Sequence, residues 1–295
     1  MKSSRMQLSL LLIALALGLS GVARAGSATS VTGLYYTGVN NTGGLLSGGS
    51  TDSHWSVEYA KVNGTDYYGT STYTGAARVV SGSYIDGAWV QNTSSAQWIT
   101  APGASTSATG GTANIGGDYL PGNGGSGSNL AQYVYALTFN IGGTGSGTVT
   151  NNVAINMTIA ADDQYEVYVN PTGYSITSSG VDFTTAASAA GTSAWNNTTS
   201  INLQNYGSGS ANNSSFVIGS NTIYVVVNNT NGVYGTSTST AQNPSGLLVY
   251  QVGSAVIING HVIPEAGTWL PLLGAVGLYG GLVWRRRRNA SPAQN

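Results

Sequence analysis

Two adjacent carboxylates, Asp162 and Asp163, are the side chains whose type and spacing best suit cation binding. They lie between two alternating apolar segments, which places them in a turn. Clustered carboxylate and carbonyl oxygens suit Ca²⁺, but the same side chains could instead accept hydrogen bonds from backbone amides of the turn. They are poorly placed as a general acid and base, because adjacent residues of an extended chain point to opposite faces. We therefore predict a turn or a structural calcium site, and no other cofactor.

A hydrolytic triad would have to use His54, because His261 lies in the segment that leads into the C-terminal tail. His54 stands beside Trp55, without a nucleophile-elbow serine setting. A histidine in such a position is more often a packing residue. The sequence therefore predicts a protein that is not an enzyme and has no catalytic residues.

Sugar binding requires aromatic faces for stacking and polar groups for hydroxyls. The chain has 18 tyrosines and six tryptophans, but aromatic residues on alternating strands usually form core or cross-strand pairs. Trp195 lies in an Asn/Ser/Thr-rich segment that we interpret as a loop. It is the best sequence candidate for an exposed sugar-stacking platform.

The elements that must position these residues are β-strands. The clearest segments alternate apolar and polar residues, which is the period of a half-buried strand. The candidate strands are 132–141, 153–159, 165–169, 215–218, 222–227 and 247–252. Gly, Asn, Asp and Pro separate them, and no amphipathic helix is evident. Strands without connecting helices predict an all-β, antiparallel β-sandwich or jelly roll, with a parallel β-helix as the alternative that lacks its expected repeat.

Two further segments have distinct compositions. Residues 101–129 are rich in Gly, Ser and Thr and have little to bury, which predicts a long surface loop. Residues 65–84 are Tyr-rich and alternating, which predicts a hairpin inserted into the same sandwich.

Charge excludes one class of function. Charged residues are 6% of the chain, compared with roughly 25% in typical globular proteins. Between residues 26 and 263 there are nine acidic residues and two basic ones, a formal net charge of −7. Nucleic-acid affinity comes largely from neutralising phosphates with Lys and Arg, so we exclude nucleic acid as a partner.

Both ends of the chain have the composition of targeting segments. Residues 1–25 combine positive charge at Lys2 and Arg5, an apolar run and an Ala-x-Ala site at Ala23 and Ala25, which predicts a secretory signal peptide. At the other end, the apolar segment 269–284 would reach about 24 Å as a helix, barely enough to cross a bilayer. Arg285, Arg286, Arg287 and Arg288 follow it directly, as a stop-transfer cluster that stays cytoplasmic.

A Pro264-Glu265-Ala266 sequence stands just ahead of this hydrophobic segment. The order of a Pro-Glu pair, a glycine-punctuated helix and an arginine cluster resembles the PEP-CTERM sorting signal of Gram-negative bacteria, although Ala266 replaces the usual second proline. The resemblance implies that a membrane enzyme, exosortase, recognises Pro264-Glu265 and removes the tail. The alternative is a membrane anchor that is never cut.

The region between the two ends resembles a second family. A strand that closes on Asn170 precedes the runs Gly219-Ser220-Asn221 and Pro244-Ser245-Gly246-Leu247. This order is similar to that of galactose-binding-like jelly-roll modules, across residues 31–252. Pro171 departs from the pattern, because glycine usually follows the asparagine. The resemblance implies a jelly roll with largely structural motif residues, some members of which bind sugars at loop tips.

These observations predict three regions: a signal peptide at 1–25, a β-sandwich ectodomain at 26–260 and a sorting signal at 261–295. The expected protein is exported, held transiently in the inner membrane and then delivered to the cell surface or extracellular matrix. Its expected partners are exosortase and exopolysaccharide, and the alternative function is direct binding of a glycan.

Overall fold

The protein is built from β-strands. The structure, a computed structural model, describes residues 26–62, 65–68, 73–80, 85, 89–102, 131–147, 149, 153–162, 164–171, 174–177, 180–183, 187, 189–191, 195–204, 216–229, 245–250, 256–259 and 261–263. The strands are β1 (Ser27–Thr32), β2 (Thr51–Val62), β3 (Thr65–Tyr68), β4 (Gly75–Val79), β5 (Ile99–Thr100), β6 (Ala131–Thr144), β7 (Val153–Ala161), β8 (Gln164–Val169), β9 (Tyr174–Thr177), β10 (Gly180–Phe183), β11 (Ala189–Gly191), β12 (Thr199–Gln204), β13 (Gly219–Asn229), β14 (Leu247–Tyr250), β15 (Val256–Ile258) and β16 (His261–Ile263). No helix occurs in these ranges, so none of them holds a helix that could span a membrane. The predicted all-β class is confirmed.

Strand β6 is the centre of what we call the front half of the sheet. One edge of β6 pairs with β13, where Val225 is opposite Tyr135. The other edge pairs with β1 and then with β2, where Trp55 is opposite Leu137. Strands β8 and β11 extend the sheet beyond β13.

Strand β7 is the centre of the back half. One edge of β7 pairs with β12, and the other pairs with β14 and β15. The short strands β4 and β5 join the two halves, because β4 pairs with β2 and β5, and β5 pairs with β14. All pairings between these named strands are antiparallel, which confirms a sandwich-like antiparallel sheet and excludes a parallel β-helix for the described ranges.

The main core lies between the two halves. The predicted apolar faces of β6 and β7 are confirmed, since these residues are all buried: Tyr133, Tyr135, Leu137, Phe139, Ile141, Val153, Ile155, Met157 and Ile159. Successive side chains of a strand point to opposite faces, so each strand supplies every second residue to this core. Trp55 from β2 and Tyr165 from β8 are buried in the same cluster.

Two smaller apolar clusters cover the outer faces. The tryptophan cluster contains Trp89 and Trp98, whose ring centroids are 4.4 Å apart, packed near outward-facing residues of β7 and β14. The second cluster, which we call the aromatic cap, contains Phe183 of β10 stacked on Tyr168 at 4.1 Å. Because β10 packs there, Val134 of β6 is buried although it alternates away from the main core.

Two predicted elements differ from the structure. Segment 65–84 does not contain a self-paired hairpin in its described residues, because β3 and β4 both pair with β2. The strand predicted at 215–218 is not formed by its described residues, and β13 begins at Gly219. The reason is local: the amide of Asn221 hydrogen-bonds Val217 and Gly219, which curls the backbone just before the strand.

The sheet continues past the predicted domain end at residue 260. Strand β16 pairs with β15, with Ile258 opposite His261, so His261 to Ile263 belong to the folded region. Asn259 has φ +52°, the left-handed conformation that Asn-Gly hairpin turns require. The predicted signal peptide, residues 103–129 of the predicted loop and the tail from Pro264 onward lie outside the described residues.

Candidate binding site

A buried carboxylate organises the start of β2. The side chain of Asp52 accepts hydrogen bonds from the backbone amides of Gly38 at 2.7 Å, His54 at 2.9 Å and Trp55 at 3.3 Å. Asp52 is fully buried. It lies between Thr51 and Ser56, where the register of the β2–β4 pairing shifts. The carboxylate therefore fixes the preceding loop against β2, which positions the residues on either side of it.

His54 and Tyr35 form a stacked pair next to this anchor. Their ring centroids are 3.6 Å apart and their planes differ by 9°. The indole Nε1 of Trp55 donates to the backbone carbonyl of Tyr35 at 3.2 Å, which holds the Tyr35 segment over β2. The Nε2 atom of His54 is buried and has no hydrogen-bond partner among the described residues.

A cavity of about 380 Å³ opens beside this pair, on the outer face of the front half. Its lining residues are small, hydroxylated or aromatic, namely Gly33, Tyr35, Ser53, His54, Trp55, Ser56, Gly75, Ala76, Ala136 and Thr138. Among these described residues none is an acid, a lysine or an arginine. The cavity therefore offers hydroxyl groups and aromatic surface without a fixed ion.

Asp52 and His54 do not form a catalytic relay. A triad requires the carboxylate to hydrogen-bond the imidazole ring, whereas Asp52 bonds the backbone amide of His54. The hydroxyl of Ser56 donates to Glu58 rather than to the imidazole. What the structure shows for His54 is stacking on Tyr35.

Sequence reasoning missed most of this site. It singled out His54 and Trp55, but it gave no site role to Tyr35, Ala76 or Thr138. The lining residues come from four separate segments of the chain. The β2–β4 and β2–β6 pairings bring three of them together, and the Trp55 indole holds the fourth, at Tyr35, over β2. The available signal was weak: the alternation of β6 places Ala136 and Thr138 on the face opposite the predicted core.

The stability of the protein should depend on the ionisation of Asp52. Burial raises the pKa of Asp52 above its ordinary value of 3.8, although the amides of Gly38, His54 and Trp55 act in the opposite direction. The folded state therefore binds more protons than the unfolded state between pH 3.8 and the raised pKa. We expect the free energy of unfolding to fall as pH rises through that window. Urea unfolding of the wild type and of Asp52→Asn at several pH values would measure this effect.

The variant Asp52→Asn should lose this component of the pH dependence, because an amide does not titrate. The exposed carboxylate Glu58 provides the matched control, and Glu58→Gln should keep the wild-type slope. Identical slopes for the wild type and Asp52→Asn would contradict the assignment.

The structure places the predicted calcium residues only in part. Asp162 is buried at the end of β7, and its backbone amide donates to the carbonyl of Gly246 at 3.3 Å. Asp163 lies outside the described residues. No group of three or more acidic, histidine or cysteine side chains that could hold a metal occurs within the described ranges. The structural calcium ion therefore stays a sequence prediction.

Trp195 is not a freely exposed platform. Its side chain is partly buried and packs against the tryptophan cluster, and its carbonyl accepts the amide of Val90 at 3.0 Å. That cluster includes Ala160 of β7 and Leu248 of β14, so Trp195 packs on the back half. The sorting residues Pro264, Glu265 and Ala266 and the arginines 285–288 lie outside the described residues.

No protein-family model and no curated protein matches this chain. Among solved structures, the chain is similar to an arabinose-bound GH51 α-L-arabinofuranosidase at 11% identity, with a TM-score of 0.23. The match covers 77% of this chain and 30% of that chain, so the matched region is less than a third of the enzyme. At this TM-score the likeness carries no argument about fold or activity, and the antiparallel sandwich-like sheet rests on the strand pairings alone.

Proposed function

We propose that the protein is an exported, non-enzymatic component of the cell surface or extracellular matrix, sorted by an exosortase and associated with exopolysaccharide. The observation that carries the proposal is the order of the C-terminal residues. Pro264-Glu265 precedes the apolar segment 269–284, and four arginines follow that segment directly. The arginines would stop transfer and remain cytoplasmic, because guanidinium groups are costly to move through hydrocarbon.

The folded region supports this arrangement. Strand β16 ends at Ile263, so the Pro-Glu pair begins immediately after the last described strand. Proline has no backbone N–H and cannot continue a ladder of hydrogen bonds. A processing enzyme could therefore remove the tail without cutting into the sheet.

The galactose-binding-like jelly roll is part of the proposal. Two motif residues of that resemblance meet in the structure, since Asn170 donates to Asn221 at 2.8 Å. Asn170 has φ +44°, so the left-handed residue is the asparagine, one position before Pro171. These contacts join two parts of the backbone, which supports a structural role for the motif residues rather than a catalytic one.

The mature C-terminus tests the sorting proposal. In the native host, we expect the extracellular form to end near residue 264 and to lack Arg285 to Arg288, as measured by intact-mass spectrometry. A Pro264→Ala/Glu265→Ala variant should remain uncut in the membrane fraction. Ala266→Pro restores the commoner motif and serves as the matched control, which should be cut like the wild type.

Retention of the four arginines in the extracellular form would contradict the proposal. An uncut chain found only in the membrane fraction would instead identify a permanent membrane anchor. A normal mature end in the Pro264→Ala/Glu265→Ala variant would show that some other sequence is recognised.

A second candidate function is direct binding of a glycan. The observation that favours it is the uncharged, hydroxyl-lined cavity beside Tyr35 and His54.

A further inference from the structure

We infer that the cavity beside the Tyr35–His54 pair binds a neutral sugar residue of a polysaccharide. The inference deepens the proposed association with exopolysaccharide, and it rests on that proposal only for the source of the ligand. The site lies on the outer face of the front half, formed by β2, β4, β6 and the segment that carries Gly33 and Tyr35. It does not involve Trp195.

The volume of the cavity suits a single small ring. At about 380 Å³ it falls at the lower end of the roughly 300–1,000 Å³ typical of small-molecule sites. Its lining includes small residues, Gly75 and Ala76 on β4 and Ala136 on β6. A Cβ atom added to Gly75 would meet no atom within 4 Å, so the space above this residue is open. The absence of larger side chains at these positions is what creates the depression.

The chemistry of the walls suits hydroxyl groups and C–H faces. Ser53, Ser56 and Thr138 line the cavity with hydroxyls. The Ser56 hydroxyl donates to Glu58, and the Thr138 hydroxyl pairs with that of Thr222 at 3.3 Å. Each of these two lining hydroxyls keeps a lone pair that can accept a hydrogen bond from a ligand. The stacked rings of Tyr35 and His54 supply an aromatic wall. A pyranose ring presents both kinds of surface, since its hydroxyls project from its edge and its C–H groups form apolar faces that pack against aromatic rings.

The charges around the cavity select against acidic sugars. No acidic, lysine or arginine side chain is among the described residues that line it. Two carboxylates bond to lining residues: Asp52 accepts the backbone amides of His54 and Trp55, and Glu58 accepts the hydroxyl of Ser56. Because no described lining residue is a cation and two acids bond to lining residues, an anionic sugar would find no charge partner in the lining itself. The site therefore fits an uncharged sugar.

The site is held rigidly before any ligand arrives. Asp52 fixes the β2 backbone at residues 54 and 55 through two amides, and the indole of Trp55 holds the carbonyl of Tyr35. The backbone of both aromatic residues is thus fixed by partly buried hydrogen bonds. A preformed site loses less conformational entropy on binding, which is how a small cavity retains measurable affinity.

Binding should be tested on the full chain, purified in mild detergent, by titration calorimetry and saturation-transfer NMR. The probes are methyl β-D-glucopyranoside and methyl β-D-galactopyranoside, with glucuronic acid as the anionic comparator. We expect a dissociation constant in the millimolar range for at least one neutral probe, as is ordinary for one ring in one shallow site. Glucuronic acid should bind at least about tenfold more weakly.

The blocking variant is Ala76→Tyr, which places a ring into the cavity from an exposed strand position where aromatic residues are well tolerated. It should weaken binding at least about tenfold, with an unchanged circular dichroism spectrum. The matched control is Asn202→Tyr, which adds the same ring at an exposed position of β12 in the back half and should bind as the wild type does.

Each remaining outcome overturns the inference: no binding of either neutral probe, stronger binding of glucuronic acid, or equal binding by Ala76→Tyr and the wild type. The mature C-terminus reports separately on sorting. A chain that is cut normally but binds no probe would overturn the sugar site and leave the sorting proposal intact.

Discussion

Replacing Trp55 with alanine is expected to lower the free energy of unfolding by about 3–5 kcal/mol. The side chain is 1% exposed and lies in the main core between the two halves of the sheet. Its loss would leave a large cavity and would also remove the donor to the carbonyl of Tyr35. Globular domains are stable by only about 5–15 kcal/mol, so the variant should unfold at a much lower urea concentration.

The matched control is Leu45→Ala, because Leu45 is a large apolar side chain that is 45% exposed. Its cost should be within about 0.5 kcal/mol. A loss below about 1 kcal/mol for Trp55→Ala would contradict the packing described here. Trp55→Phe should fall between the two, because it keeps an apolar ring but cannot donate to Tyr35.

Replacing Asn221 with alanine is expected to cost about 3 kcal/mol, a large amount for a polar residue. Its amide accepts from the backbone of Val217 at 2.9 Å and donates to the carbonyls of Val217 at 2.9 Å and Gly219 at 2.8 Å. It also accepts the amide of Asn170. Asn221 is 1% exposed, so water cannot readily replace these bonds when the side chain is truncated.

The control is Asn228→Ala on the same strand, where the half-buried asparagine accepts one side-chain hydrogen bond, from Gln132. That change should cost no more than about 1 kcal/mol. Urea unfolding of both variants measures the difference, and equal costs would contradict a special role for Asn221. Asn221→Asp should also be destabilising, since a carboxylate cannot donate to the carbonyls of Val217 and Gly219.

The sequence predicted the parts of the fold that depend on local periodicity. The alternation along β6 and β7 identified their buried faces, because a strand exposes every second side chain to each face. It did not predict the burial of Val134 or Val226, which face away from the main core and are covered by β10 from elsewhere in the chain. Periodicity within one strand carries no information about what packs on its outer face.

Trp195 shows the same limitation. Its polar surroundings in the sequence predicted exposure, whereas its burial depends on the tryptophan cluster formed by a segment about a hundred residues earlier. The sequence did not predict the candidate cavity either, because the small residues that line it have no reactive or binding group that a sequence pattern could identify. Ala76 and Ala136 matter through the volume they leave empty, which appears only when their strands are paired.

The position of Ile263 at the end of β16 sets a limit on where the domain can be while the tail is attached. Residues 264–268 alone separate the last strand from the apolar segment that begins at Trp269. Even when fully extended, this five-residue linker spans at most about 20 Å. If the proposed insertion of residues 269–284 holds, the end of β16 would stay within about 20 Å of the bilayer until the tail is cut, and the domain could diffuse away only after that cut.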